Sequence, residues 1–418
     1  MIPYISSKAL LGFTKEFQSD PFNLIDNCFK EFGNIFQFRL GIYKPIIVLD
    51  SKIINYILQN HFNYPKSILY EDMKTIMGEG LITSKDEHWK IQRKKIQPIF
   101  HNNLLKEYSD KINSISEKAV DSIIDKKQIN LENWLTEISL NIILEVILGL
   151  ESLNNKKLIN DINIIIKFFK KRSESILKIP ISIPTDENRK FKLAYKRFLN
   201  ELNQLIDKKV ESHSSDVLYQ LIVAHHNDEN YSQLLDEIIT LILAGHETIA
   251  HSLFWTICHL SDNSKIEKYL IKSLETKTNS NLRNIINESL RLSPPVPILT
   301  RNTLESETIY GKKFKSGSLI IIPIFNFHRL SKHWKNPSLF NPDRWTNPTK
   351  NINNIFIPFA SGPRKCIGNR LSYLELETII TKIYSNLKFK RESANEIKYN
   401  PFITLRPDQK IIMNIQPI

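Results

Sequence analysis

Glycine is scarce, 11 in 418 residues, and that scarcity removes the glycine-rich nucleotide loops. The only close pair ahead of Cys366 is Gly78 and Gly80, with Thr83 where a dinucleotide fingerprint wants its third glycine. No flavin or nicotinamide site is legible. Cysteine is scarcer still: Cys28, Cys258 and Cys366 are far apart and odd in number, which excludes a disulfide framework and fits a reducing cytoplasm. No apolar run approaches the roughly 18 residues of a membrane helix. The longest, IITLILAG and SLIIIPIF, are core-sized, and MIPYISSKALLGF lacks the charged start and apolar run of a secretory signal. A soluble, cytoplasmic chain with no membrane span is expected. The net charge of +13 suggests an acidic partner, nucleic acid or a membrane surface, or else reflects a composition heavy in Lys, Ile and Asn. No basic run is interleaved with aromatics, so nucleic acid is not the partner.

What is present is ample core material, 41% hydrophobic with 10% aromatic residues. Gly33–Leu40 and Lys44–Asp50 read as a hairpin across a turn-length GIY. From Ser51 to about Ser293 the pattern is mainly helical, with helices over Ser116–Asp125, Trp134–Leu150, Arg189–Glu211 and Ser232–Leu260. Ser293–Pro297, SPPVP, ends a helix sharply. A strand over Ser318–Phe325 and an irregular Asn- and Pro-rich stretch over Ser331–Gly368 come next. Helix resumes from Asn369 to about Leu387, and short strands close the chain. No repeat or linker is visible, so one domain over residues 1–418 is expected.

The sparing use of thiols makes Pro358–Arg370, PFASGPRKCIGNR, conspicuous. Gly368 precedes an amphipathic run through Leu371, Leu374, Leu376, Ile379 and Ile380. Cys366 therefore sits just before a helix N-terminus, where unpaired N–H groups and the dipole stabilise a thiolate. Arg364 and Lys365 act in the same direction. Such a thiolate suits a nucleophile, a redox sensor or a metal ligand.

Phe359, Gly362, Arg364, Cys366 and Gly368 spell F-x-x-G-x-R-x-C-x-G, and here the sequence resembles the cytochrome P450 family of haem-thiolate monooxygenases. The resemblance makes Cys366 the thiolate ligand of haem iron, with Phe359 beside the sulfur and Gly362 and Gly368 admitting the porphyrin. The helix around Ser232–Leu260 is apolar on nearly every side, which suggests a central helix roughly 40 Å long. Ala244–Thr248, AGHET, interrupts it with a glycine, which costs about 1 kcal/mol in mid-helix, and a glutamate, costly if buried unpaired. By resemblance, Ala244 and Gly245 leave an oxygen-binding groove and Glu247 and Thr248 deliver protons. HETIAH is no zinc motif, because His246 and His251 lie roughly 140° apart around a helix. Glu288 and Arg291, about 75 residues before the cysteine, with Arg344 of FNPDRW, match the family's structural E-x-x-R and meander arginine. Trp89 and Arg93, at i and i+4, together with Arg301 and Arg364 match propionate-binding positions, where a planar guanidinium holds carboxylates well.

The resemblance spans essentially the whole chain. It implies a mainly α fold with small β-sheets, in which haem b lies between a long central helix and a Cys-bearing loop and helix. It further implies a monomeric enzyme that inserts one oxygen atom of O2 into a hydrophobic molecule such as a fatty acid or terpenoid. With no flavin or iron–sulfur region legible, electrons come from an acidic ferredoxin or flavodoxin with its reductase. That donor would be steered by Lys90, Lys94, Lys95, Lys365 and Arg370. Pocket positions by resemblance are the Ile68–Ile76 loop, Leu241, Ala244, Ile298, Leu299, Phe402 and Ile403. Rival readings are a peroxide-using enzyme or isomerase of the same fold, a haem-based sensor, and a Cys/His hydrolase, for which no histidine is placed opposite Cys366.

Overall fold

A computed structural model describes residues 2–150, 156–174, 179–212, 216–226, 231–276, 281–401 and 403–418. The helices that bear the motif residues and their main supports are α1 (Pro21–Phe32), α2 (Ser51–Gln59), α3 (Asp86–Ile96), α4 (Leu131–Ile143), α5 (Ser232–Asp262), α6 (Leu282–Leu292) and α7 (Asn369–Tyr384). The chain forms two compact units, one of Met1–Leu69, Ser122–Glu132 and His251–Ile418, the other of Tyr70–Asp121 and Asn133–Ala250.

The first unit is built on a five-stranded sheet. Its strands are β1 (Tyr4–Ile5), β2 (Ile35–Phe38), β3 (Ile46–Val48), β4 (Ile298–Asn302) and β5 (Leu319–Pro323), in the order β1-β2-β3-β5-β4. The expected hairpin is β2 against β3, with Phe36 opposite Ile47. Ile46, Ile47 and Val48, like Ile320, Ile321 and Ile322, are buried in succession, so both faces of the sheet are covered and the residues do not alternate in polarity. Ile25 and Cys28 of α1 and Ile53, Ile54 and Ile57 of α2 join this core. Asp50 starts α2 by accepting from the amides of Lys52 and Ile53. A three-stranded antiparallel sheet ties the tail to Gln128–Asn130, with Met413 opposite Ile129.

Helix α6 ends at Leu292, before the prolines, as expected. Other boundaries differ. Ser318–Phe325 is strand only to Pro323, and Ile324–Phe327 turns into a short helix. Within the stretch read as irregular, Pro342–Trp345 is a 3-10 turn and Ile352–Ile355 a short helix. Ser116–Asp121 belongs to a helix over Asn102–Asp121, and 122–125, expected as helix, is a turn. Helix α4 gives way to a π-turn over Leu144–Leu148, closed by left-handed Gly149. The supposed Ile68–Ile76 loop is a 3-10 turn (Ile68–Tyr70) followed by helix (Glu71–Met77).

The helix α5 is long and apolar enough to cross a membrane by composition, yet 78% of its most apolar window is buried in the protein itself. Its first half holds Gly78–Leu81. Asp236 accepts from the Glu79 amide at 2.8 Å, and Glu237 accepts from the Leu81 amide at 2.9 Å. A Cβ on Gly78, whose φ is +51°, would lie 2.0 Å from the Asp236 carboxylate, and one on Gly80 would lie 2.1 Å from the Thr240 hydroxyl. These two glycines, vestigial as a nucleotide motif, are required by this close approach.

Glu237 is fully buried, and burial raises its carboxyl to about 8 against the hydrogen bonds from Leu81 and Gln233. A carboxyl raised in the folded state holds a proton that the unfolded chain has released, so folding loses stability as pH climbs from about 4.5 to about 8. Glu237→Gln should therefore gain on wild type through that window, by up to about 1.4 kcal/mol per pH unit. Denaturant melts across the pH range check this, and parallel profiles would contradict it.

Candidate active site

Cys366 is the exposed cysteine; Cys28 and Cys258 are buried, and burial raises both their thiols. Its loop is tightly made. The Cys366 amide donates to the Phe359 carbonyl at 2.9 Å, Lys365 to Gly362 at 3.0 Å, and Ala360 to Ile357 at 3.0 Å. Ala360 is left-handed at φ +59°, a conformation costing about 1 kcal/mol or more in a residue with a Cβ. Gly362 is left-handed as well, and a Cβ there would stand 2.2 Å from the Leu58 carbonyl at the end of α2. The packing of loop against helix thus accounts for this glycine. Gly368 caps α7 two residues after Cys366, and Phe359 packs on Tyr373 of α7 with ring centroids 5.3 Å apart.

Behind the loop lies a buried ionic cluster. Glu288 and Arg291 are fully buried and paired through both carboxylate oxygens, at 2.8 Å each. The same carboxylate accepts from Arg344 Nε at 2.9 Å, Trp345 Nε1 at 3.0 Å and the Asn341 amide at 2.9 Å. Arg291 also donates to the carbonyls of His328 and Pro337, at 3.0 and 2.7 Å. The three residues matched by motif do meet.

Arg301 lies on β4, 2% exposed, and pairs in an antiparallel bridge with Lys66. The Lys66 ammonium is held well below the usual lysine range, first by burial and then by the guanidinium groups of Arg364 and Arg301. Three basic side chains thus gather in the first unit. Lys66 carries no signal in the sequence, because nothing in YPKSI distinguishes it from the chain's other lysines.

In the second unit, Trp89 and Arg93 share a face of α3, with Trp89 buried and Arg93 half-buried. Ala244, Gly245, Glu247 and Thr248 are half-buried, whereas Leu241–Leu243, His246, Ile249 and Ala250 around them are buried. The i, i+3, i+4 set Ala244, Glu247 and Thr248 is therefore an accessible stripe in the middle of a core helix. Glu247 is not the fully buried glutamate its setting suggested; Glu237 is. The Thr248 hydroxyl donates to the Ala244 carbonyl at 2.8 Å, an ordinary helical bond. A Cβ on Gly245 would meet the Ile143 side chain of α4 at 2.8 Å, and Ser139 of α4 donates to the His246 carbonyl at 2.6 Å. Gly245 therefore lies where α5 and α4 approach closely.

His246 is buried with Nδ1 2.8 Å from the Ile242 carbonyl, and His251 lies 3.6 Å from Glu132, so the two point to different partners. No group of potential metal ligands occurs among the described residues. Of the other pocket positions, Leu241 is buried, Ile298, Leu299 and Ile403 are half-buried, and Phe402 lies outside the described residues. Lys94, Lys365 and Arg370 are exposed. Lys90 is paired with Glu87 at 3.4 Å, and Lys95 is half-buried.

The cytochrome P450 family model matches residues 5–415. LUTEIN DEFICIENT 5, a chloroplastic protein of Arabidopsis thaliana, is 26% identical over 87% of this chain and 68% of its own length. Cytochrome P450 3A41 of Mus musculus is 25% identical over 93% of this chain and 86% of its own. A solved structure titled as retinoic acid bound cyanobacterial CYP120A1 superposes with a TM-score of 0.85 at 21% identity, covering 100% of this chain and 99% of that one. The chain belongs to the cytochrome P450 family and is a haem b monooxygenase.

Proposed function

We propose that this cytochrome P450 oxygenates a small lipophile, a fatty acid, terpenoid or similar molecule, with electrons from a separate acidic ferredoxin or flavodoxin and its reductase. The accessible stripe of Ala244, Glu247 and Thr248 carries the oxygenase reading. An acid and an alcohol kept accessible inside a core helix are hard to explain by packing.

The residues fit a haem. An exposed thiol on a pinned loop offers a soft anionic ligand, and the Arg301 and Arg364 guanidinium groups, with the Lys66 amine beside them, complement carboxylates. Cys366 would ligate the iron through Sγ, with Phe359 beside it. The amides at the start of α7, opened by Gly368, would favour the thiolate. Trp89, Arg93, Arg301 and Arg364, joined by Lys66, would hold the propionates. When bound, haem supplies the redox-active iron at which O2 is reduced. The protein's part is then to move protons. Thr248 Oγ1 leaves its bond to the Ala244 carbonyl and passes a proton outward, and the Glu247 carboxyl replaces it. Ala244 keeps the space before the hydroxyl clear.

Leu241, Ile298, Leu299 and Ile403 offer only hydrocarbon, which favours a lipophile over a sugar. Retinoic acid, the ligand of the cyanobacterial structure, is of this class. Spectral titration with retinoic acid, a saturated fatty acid, a monoterpene and glucose tests the class, and a response to glucose alone would exclude it. The +13 charge and the exposed Lys94, Lys365 and Arg370 support an acidic donor.

Thr248→Val removes the hydroxyl and keeps the shape. With the best-coupled lipophile, oxygen uptake should continue while product per O2 falls on the order of tenfold or more and hydrogen peroxide appears. Unchanged coupling would show that protons arrive by another route. First-electron reduction by an acidic ferredoxin should slow several-fold as salt shortens the Debye length from about 30 to about 10 Å. Lys94→Glu with Lys365→Glu should start slow and respond little. A flat wild-type profile would make the charge a matter of composition alone.

A further inference from the structure

One buried group stands between the ionic cluster and the cysteine loop with no part in the chemistry so far. His328 is 0% exposed, in the Phe325–Leu330 segment that follows β5. It is engaged at both ends. Its backbone carbonyl accepts from Arg291 Nη1 at 3.0 Å, and its ring Nε2 accepts from the Ile357 amide at 2.9 Å. Ile357 opens the cysteine loop: its carbonyl receives the Ala360 amide, and Phe359 receives the Cys366 amide. A continuous line of hydrogen bonds and short backbone steps thus runs from Glu288 through Arg291, His328 and Ile357 to Cys366.

The ring can accept from an amide only while Nε2 is unprotonated. Burial lowers its pKa to about 3, and the cationic Arg291 and Arg329 add to that effect. Backbone groups of Arg291 and Leu290 act the other way without prevailing. The ring packs 5.5 Å from Phe356. One histidine among 11 carries no sequence signal, and its partner, 29 residues away, is a backbone amide.

We infer that His328 is a positioning residue: it ties the start of the cysteine loop to the buried Glu288–Arg291 pair and so sets where the Cys366 sulfur stands. This rests on Cys366 being the haem ligand. A glutamine amide can place its oxygen where Nε2 stands and accept the same proton. Leucine has similar bulk and no acceptor, and asparagine is one carbon too short.

The test uses haem-loaded protein with His328→Gln, His328→Leu and His328→Asn, beside Ile25→Ala, a core variant on α1 of the same unit. Three readouts are taken: the Soret band of the reduced CO complex, the reduction potential, and hydrogen exchange of the Ile357 amide. His328→Gln should keep the wild-type long-wavelength band. His328→Leu should move a several-fold larger share to the shorter-wavelength band of a neutral thiol ligand, with a shifted potential and Ile357 exchange faster by about tenfold. Ile25→Ala should lose stability and leave the band in place. If His328→Leu does not accumulate, Asn should behave as Leu was expected to and Gln as wild type; identical Asn and Gln variants would overturn the assignment. A wild-type band and exchange rate in His328→Leu would overturn it too, as would the same band shift in Ile25→Ala. Absence of the long-wavelength band in wild type would instead defeat the haem-ligand reading, while Ile357 exchange would still decide whether His328 holds the loop.

Discussion

The Glu288 carboxylate, sealed from solvent and accepting five hydrogen bonds from Arg291, Arg344, Trp345 and the Asn341 backbone, is the interaction on which the cysteine side of the protein depends. A buried carboxylate is tolerable only with such a set of donors, and loss of one partner of a buried pair generally costs about 3–5 kcal/mol. The cluster is therefore a rigid block rather than a source of net stability. Its donors come from α6 and from the Asn341–Trp345 turn, and Arg291 reaches on to carbonyls at His328 and Pro337. A segment poor in regular structure is thereby fixed.

Rigidity there permits strain nearby. Ala360 and Gly362 are both left-handed, and Gly362 lies against the backbone of α2 with no room for a side chain. Such a loop keeps its shape only when its surroundings dictate it. The reward is a thiol presented outward just before a helix N-terminus, in a chain whose other two thiols are buried. The second unit obeys the same principle. Ser139 and Ile143 pack closely at Gly245 and His246, and Ala244, Glu247 and Thr248 remain accessible beside them.

Much of this was legible in the sequence, where local pattern decides structure. The β2–β3 hairpin, the extent of α5, the stop of α6 before Pro294 and the start of α7 follow from periodicity, turn residues and proline. The Cys366 motif and the E-x-x-R pair were readable because each is contiguous. What escaped depends on partners distant in the chain. Gly78 and Gly80 are glycines because of Asp236 and Thr240, and Glu237, raised by burial, is met by the amide of Leu81. Lys66 is distinguished by Arg301 and Arg364, and His328 by the amide of Ile357. No window of sequence contains both members of any such pair. Gly245 was legible as unusual, and in the structure a side chain there would crowd Ile143 of α4.

The central claim is that this pinned loop delivers Cys366, and no other residue, to haem iron as a thiolate. Cys28 and Cys258 are buried and cannot take its place. The most direct measurement is the CO difference spectrum of the reduced, haem-loaded protein, for wild type beside Cys366→Ala. The expected result is the long-wavelength Soret band in wild type and its complete loss in the variant. Persistence of that band in Cys366→Ala would contradict the claim.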